Sequence, residues 1–111
     1  TNRQLRQYYY HLPQWHSLRQ SYFSLHPLDE LSLISGKVEV SEDIHHLISP
    51  FQTGKTLTEI TILFLDPDNL IALSKYNHGA IHGHPELLTD AEQNYLKTRI
   101  NIMREKYKFR I

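Results

Sequence analysis

A chain of 111 residues, 40% hydrophobic and 22% charged, is sized for one modest core and one domain spanning residues 1–111. Twelve basic residues balance twelve acidic ones, so no global field draws the chain to nucleic acid, and any such contact has to be a local patch. With no cysteine, disulfides and thiolate metal sites are excluded, and no apolar run approaches the roughly 18 residues of a membrane span.

The first residues, Thr1-Asn2-Arg3-Gln4, lack the apolar core of a signal peptide, and the expectation is a cytoplasmic protein with no membrane contact. Residues 1–11, polar and aromatic with Tyr8-Tyr9-Tyr10, read as an arm of undetermined order. Over 13–25 the pattern predicts a helix: Pro13 suits a first turn, and Trp15, Leu18, Tyr22 and Leu25 recur at helical spacing. His26-Pro27 ends it, because the residue before a proline avoids helical backbone. One or two helical turns follow over 28–34, stopped by Ser35-Gly36. Residues 37–48 hold two short extended pieces, Val38 and Val40 alternating with charges and then 44–48, closed by Pro50. A polar loop covers 52–56. The segment 57–65 is open between strand, favoured by its β-branched residues, and a short inserted helix, favoured by its place in a connection.

Asp66-Pro67-Asp68-Asn69 signals a turn, 70–73 a short buried strand, and 75–82 a short helix ended by Gly83 and Pro85. Thr89-Asp90-Ala91-Glu92 is a capping-box signature. It opens a helix over about 89–107 with Tyr95, Leu96, Ile100, Met103 and Tyr107 on its apolar face. The basic end, 104–110, complements that helix's dipole.

Histidine is unusually frequent at eight residues, and its positions matter more than its number. His45 and His46 are adjacent, so on a strand they point to opposite faces. One can hold a metal while the other acts on a nearby water if the strand bends or ends there. His78 and His82, four apart, share one helical face and can chelate one transition metal. Asn69, directly after a turn, carries both a donor and an acceptor and can tie down a loop that bears a catalytic histidine. Any one of these has an ordinary explanation, chance spacing for the histidines and turn chemistry for Asn69. Their joint order is what carries information.

Asp43-Ile44-His45-His46-Leu47-Ile48-Ser49-Pro50, then Asp66-Pro67-Asp68-Asn69-Leu70-Ile71-Ala72-Leu73, then Asn77-His78-Gly79-Ala80-Ile81-His82-Gly83 resemble the three parts of an HNH (His-Me finger) endonuclease motif. The His-His pair and the spacing of Asn69, His78 and His82 are similar to the colicin-type nuclease domains. Upstream, Trp15-His16-Ser17-Leu18-Arg19, His26-Pro27-Leu28 and Gly36-Lys37-Val38 resemble the lead-in of the phage-type HNH endonucleases. The likeness covers roughly residues 13–84. Residues 51–66 look like an insertion relative to the colicin-type spacing.

The resemblance implies an α+β domain with a ββα-metal core at about 37–84, flanked by N-terminal and C-terminal helices. It implies a metal-dependent endonuclease acting on double-stranded DNA. His45, His78 and His82 would bind one divalent cation (Zn, Ni, Mn, Co or Mg), with nitrogen donors favouring the first four over Mg. His46 would be the general base, at an ordinary imidazole pKa, and Asn69 would position it by fixing the loop between the strands. Asp43 would orient a neighbouring group. The phage-type likeness implies a mobile-element setting, with a phage terminase or other mobile-element protein as partner. Where many phage-type members carry two Cys pairs around a structural zinc, this chain has Asp29 and Ser32, and Ser74 and Asn77. No structural zinc is therefore expected, and Leu28, Leu31, Leu33 and Leu73 are the candidates to replace it by packing.

Other residues weigh less. Gly54-Lys55-Thr56 is not a phosphate loop, because Ser49 stands where the first glycine is required. His84 reads equally as a peripheral site residue or as surface, and His11, His16 and His26 as surface or core edge. Arg19, Lys55, Lys75 and the 104–110 cluster can contact phosphates or simply be solvated. Two other functions fit the same residues: a catalytically inactive metal- or DNA-binding module of this fold, and a secreted nuclease toxin domain.

Overall fold

The structure, a computed structural model, describes residues 1–52 and 54–108. Thr53 in the expected 52–56 loop and Arg110 in the expected basic end lie outside the described residues. Among the described residues there are six α-helices and one two-stranded antiparallel sheet, a small compact α+β domain. No helix among them is long and apolar enough to cross a membrane.

Residues 1–11 are not an arm. Asn2–Tyr10 form helix α1, opened by a capping box in which Thr1 Oγ accepts from Gln4 N. Tyr9 anchors it: the ring is buried against Phe51 and Phe64, and its hydroxyl lies 2.6 Å from Thr61 Oγ. Helix α2 occupies Pro13–Leu25 with Trp15 and Tyr22 buried, while Leu25 at its end stays exposed. The short α3, Glu30–Ile34, is capped by Asp29 and followed by Gly36, whose φ of 72° is left-handed backbone suited to glycine.

The first expected extended piece reduces to one bridge, Val40 with Leu28. The second is strand β1, Asp43–His46, which pairs with β2, Leu70–Leu73, in the register Asp43↔Leu73 to His46↔Leu70. β1 ends before Ile48 because the backbone there turns onto Asn69: Leu47 N donates to the Asn69 carbonyl and Ile48 N to Asn69 Oδ1. The open segment is helical. α4, Leu57–Leu65, starts at a Thr56–Glu59 capping box and buries Ile60, Leu63 and Phe64, and this packing overrides its β-branched preference. Helix α5, Lys75–Gly83, and helix α6, Asp90–Lys106, complete the chain, the latter opened by the Thr89–Glu92 box.

β2 is buried on both faces, and alternation along it serves two cores. Ile71 and Leu73 join Leu31, Leu63, Ala80 and Met103 on one side. Leu70 and Ala72 join the aromatic cluster of Tyr9, Trp15, Tyr22 and Phe64 on the other.

The four positions compared with cysteine pairs form a buried hydrogen-bonded knot. Asp29 Oδ1 accepts from Ser32 N (2.7 Å), and Asp29 Oδ2 accepts from Ser74 N (2.6 Å) and Asn77 Nδ2 (3.0 Å). Asn77 Nδ2 also reaches Ser32 Oγ, and Asn77 N donates to the Ser74 cap. Leucine packing is therefore only part of what joins α3 to the start of α5. Leu31 and Leu73 are fully buried, but Leu28 is half-buried and Leu33 is 48% exposed. The polar knot does the rest, and it fixes where α5 begins.

Candidate metal centre

β1 and α5 bring three imidazoles together. His45 projects from the strand; His78 and His82 project one turn apart from the helix. Their ring centroids lie 5.3 Å (His45–His78), 5.0 Å (His45–His82) and 4.8 Å (His78–His82) apart. One ring nitrogen from each lies within 4.8 Å of the others. Nitrogens about 2 Å from a shared ion stand no more than about 4 Å apart, so a small swing of these half-exposed rings closes the set. The chemistry of the donors also fits a cation. Burial first, then the neighbouring imidazoles, lowers the His45 pKa to about 3, which leaves one ring nitrogen with a free lone pair at neutral pH.

Asp43 sets the orientation of His78. Asp43 Oδ2 is 3.0 Å from His78 Nδ1, so the ring donates there and its Nε2 carries the lone pair. His82 Nε2 lies 3.1 Å from that nitrogen. Lys75 Nζ holds the other Asp43 oxygen at 3.3 Å. Burial tends to raise the Asp43 pKa, but the hydrogen bonds from His78 and Lys75 outweigh it, and the net shift is downward.

His46 lies beside this trio but in a different environment. It is buried between the rings of Trp15 and Phe64, stacked at 5.3 and 4.8 Å. Its Nε2 is 3.0 Å from the Phe64 carbonyl, which can only accept, so Nε2 carries the hydrogen and Nδ1 the lone pair. The expected ordinary imidazole pKa is not found. Burial pulls it down to about 4; the Phe64 hydrogen bond raises it in part, and the charge of Arg6 lowers it further. Among the described residues no hydrogen bond joins Asn69 to His46. Fully buried, Asn69 accepts from Ile48 N and donates to the carbonyls of Ile48 and Leu63, pinning the backbone just beyond the His-His pair.

All four histidines line one cleft of about 300 Å³. Its other walls include Arg6 and Tyr10 of α1, with Ser49 and Phe51 beyond β1. The expected peripheral residues stay out of it. His84 is exposed and turned to Glu86 (3.1 Å), Arg19 stacks on Phe23, and Lys55 bonds Gln52. Lys75 meets the site only through Asp43. The sequence reading missed Arg6 and Tyr10 because it took 1–11 for an arm; the Thr1-x-x-Gln4 box was the available signal for a helix there. A wider cleft of about 590 Å³ lies between α2 and α6, but its charged groups are paired internally, Arg99 with Glu30 and Lys106 with Asp66 and Asp68. No protein-family model, curated protein or solved structure matches the chain.

Proposed function

We propose that this chain is a metal-dependent HNH-type endonuclease domain whose β1, β2 and α5 form a ββα-metal core and whose substrate is duplex DNA. One observation carries the reading. Three imidazoles able to share a cation and a fourth, His46, with a fixed tautomer all line one cleft. A site that only stored metal would not need the fourth.

His45, His78 and His82 would hold the cation, and three nitrogen donors suit Zn, Ni, Co or Mn. A cation bound there would supply Lewis-acid stabilisation of the charge that develops at the phosphate and the leaving oxygen. His46 Nδ1 takes a proton from the attacking water as the water oxygen bonds to phosphorus and the bond to the 3′ oxygen breaks. The Phe64 carbonyl accepts from Nε2–H and so places the lone pair of the neutral ring on Nδ1, while burial keeps the ring neutral. Asn69 supports His46 at one remove through the Ile48 backbone.

A second reading has its own observation. A base at about pKa 4 is weak for work near neutral pH, which favours an inactive metal- or DNA-binding module. Supercoiled-plasmid nicking across Zn, Ni, Mn, Co and Mg, with EDTA and His46→Ala as controls, separates the two. Nicking that requires metal and is lost in His46→Ala supports the nuclease. Absence of cleavage with every metal, or full metal-dependent nicking by His46→Ala, overturns it.

A further inference from the structure

We propose that Arg6 of α1 is the phosphate-gripping residue of the histidine cleft, binding a non-bridging oxygen of the DNA backbone beside the metal site. The inference rests on the phosphodiester reading above. Arg6 lines the same cleft as the four histidines, and no acidic residue does. Its guanidinium lies over the Phe51 ring at 4.7 Å. A contact of the cation with a ring face uses no N–H donor in a hydrogen bond to an oxygen, which leaves the guanidinium's fork of donors available to a phosphate. Among the described residues no hydrogen bond or ion pair engages that fork.

No other Lys or Arg among the described residues lines the cleft: Lys75 is held by Asp43, Arg99 by Glu30 and Lys106 by Asp66, and Arg19 lies over Phe23. The chain is electrically balanced overall, so an anion has to be held by a local, unneutralised charge. The mounting is built for that. Arg6 and Tyr10 share one face of α1 a turn apart, and Tyr9 locks the helix to Phe51 and Phe64. Tyr10 also packs near His46, with ring centroids 6.4 Å apart. The segment expected to be a loose arm is thus one wall of the cleft.

The test uses the whole chain in EDTA, so that binding is read without cleavage. Anisotropy of a labelled DNA duplex is followed across a salt series for wild type, Arg6→Gln, Arg6→Lys and Arg19→Gln, with thermal melts to verify folding. Arg6→Gln should bind about tenfold more weakly, the loss of one charge-assisted contact. Its log–log salt slope should fall by about one. Arg6→Lys should keep the slope while losing affinity, because it retains the charge without the fork. Arg19→Gln should change neither. A folded Arg6→Gln with unchanged affinity and slope overturns the proposal, as does a wild-type protein that does not bind the duplex. If Arg6→Gln does not fold, Arg6→Lys decides: wild-type affinity overturns the proposal. Arg6-dependent binding without plasmid nicking overturns the nuclease reading and leaves the phosphate grip standing.

Discussion

Helix α5 carries two polar clusters of opposite character. Its first turn sends Ser74 and Asn77 into the knot around Asp29, where every side-chain group is buried and hydrogen-bonded within the chain. One residue further on, His78 begins the face that looks into the cleft, where ring nitrogens meet one another and the protein offers them few partners. Polar groups whose bonds all close inside the fold determine position. Polar groups left facing a cavity are available for chemistry. On this helix the first kind fixes the second, because the knot sets where α5 starts and so where His78 and His82 stand.

The largest expected effect breaks the knot. Asp29→Ala removes the acceptor of Ser32 N, Ser74 N and Asn77 Nδ2 at a fully buried position and also uncaps α3. Stranded buried donors cost about 1–3 kcal/mol each, so a loss of about 3 kcal/mol or more in denaturant unfolding is expected. Asp29→Asn, which keeps one oxygen, should lose less. A change under about 0.5 kcal/mol in Asp29→Ala would mean the knot is decoration and the leucines alone hold α3 to α5.

How much of this was readable beforehand depends on sequence distance. Helices α2 and α6 were legible because their signals are local: Pro13 and the His26-Pro27 stop, and the Thr89 box with its apolar stripe. β2 was legible as a short apolar run after a turn. Segment 57–65 was not, because its β-branched residues pull one way and burial of Ile60, Leu63 and Phe64 pulls the other. For α1 the Thr1–Gln4 box is the one local signal, and what orders the helix, Tyr9 against Phe51 and Phe64, lies more than forty residues along the chain. The histidine trio could be suspected from the His78/His82 spacing, but the approach of His45 depends on the β1–β2 register. The knot was equally hidden, since Asp29 and Asn77 are small polar residues whose pairing leaves no local pattern.

The next effect is on the cleft side and reads out in acid. In metal-free protein, burial holds His46 at about 4 and His45 at about 3 against an ordinary 6.5. The folded state thus resists protons that the unfolded state accepts. Stability from these groups is complete above pH 6.5, the unfolded value, and is lost as pH falls toward the folded values. From His46 alone the loss is about 3 kcal/mol between those limits. Asp43 and Asp66, whose pKa values are lowered, act in the same direction but in a lower window, beneath the ordinary carboxyl value of 3.8. Urea unfolding in EDTA over this range should show the decline, and His46→Gln should flatten much of it. A flat wild-type profile from pH 6.5 down to about 4 would show that these imidazoles are not held neutral by burial.

The smallest effect sharpens the comparison at the residue that joins the two clusters. Asp43 is partly exposed and lies on β1, yet it fixes the ring of His78 on α5. If it acts only on the orientation of a ligand, Asp43→Asn should leave unfolding stability within about 0.5 kcal/mol of wild type. It should weaken metal binding by about tenfold, the lower end for partners behind a metal-ligating histidine. The chain supplies the probe. Trp15 is its only tryptophan and stacks on His46, so quenching by Ni²⁺ or Co²⁺ reports binding at the adjacent imidazoles. Asp29→Ala, by contrast, should weaken metal binding only together with stability, because it acts through the start of the helix. An Asp43→Asn protein that binds Ni²⁺ as wild type does would leave His78 oriented by α5 alone, and the division between the knot and the cleft would then be complete.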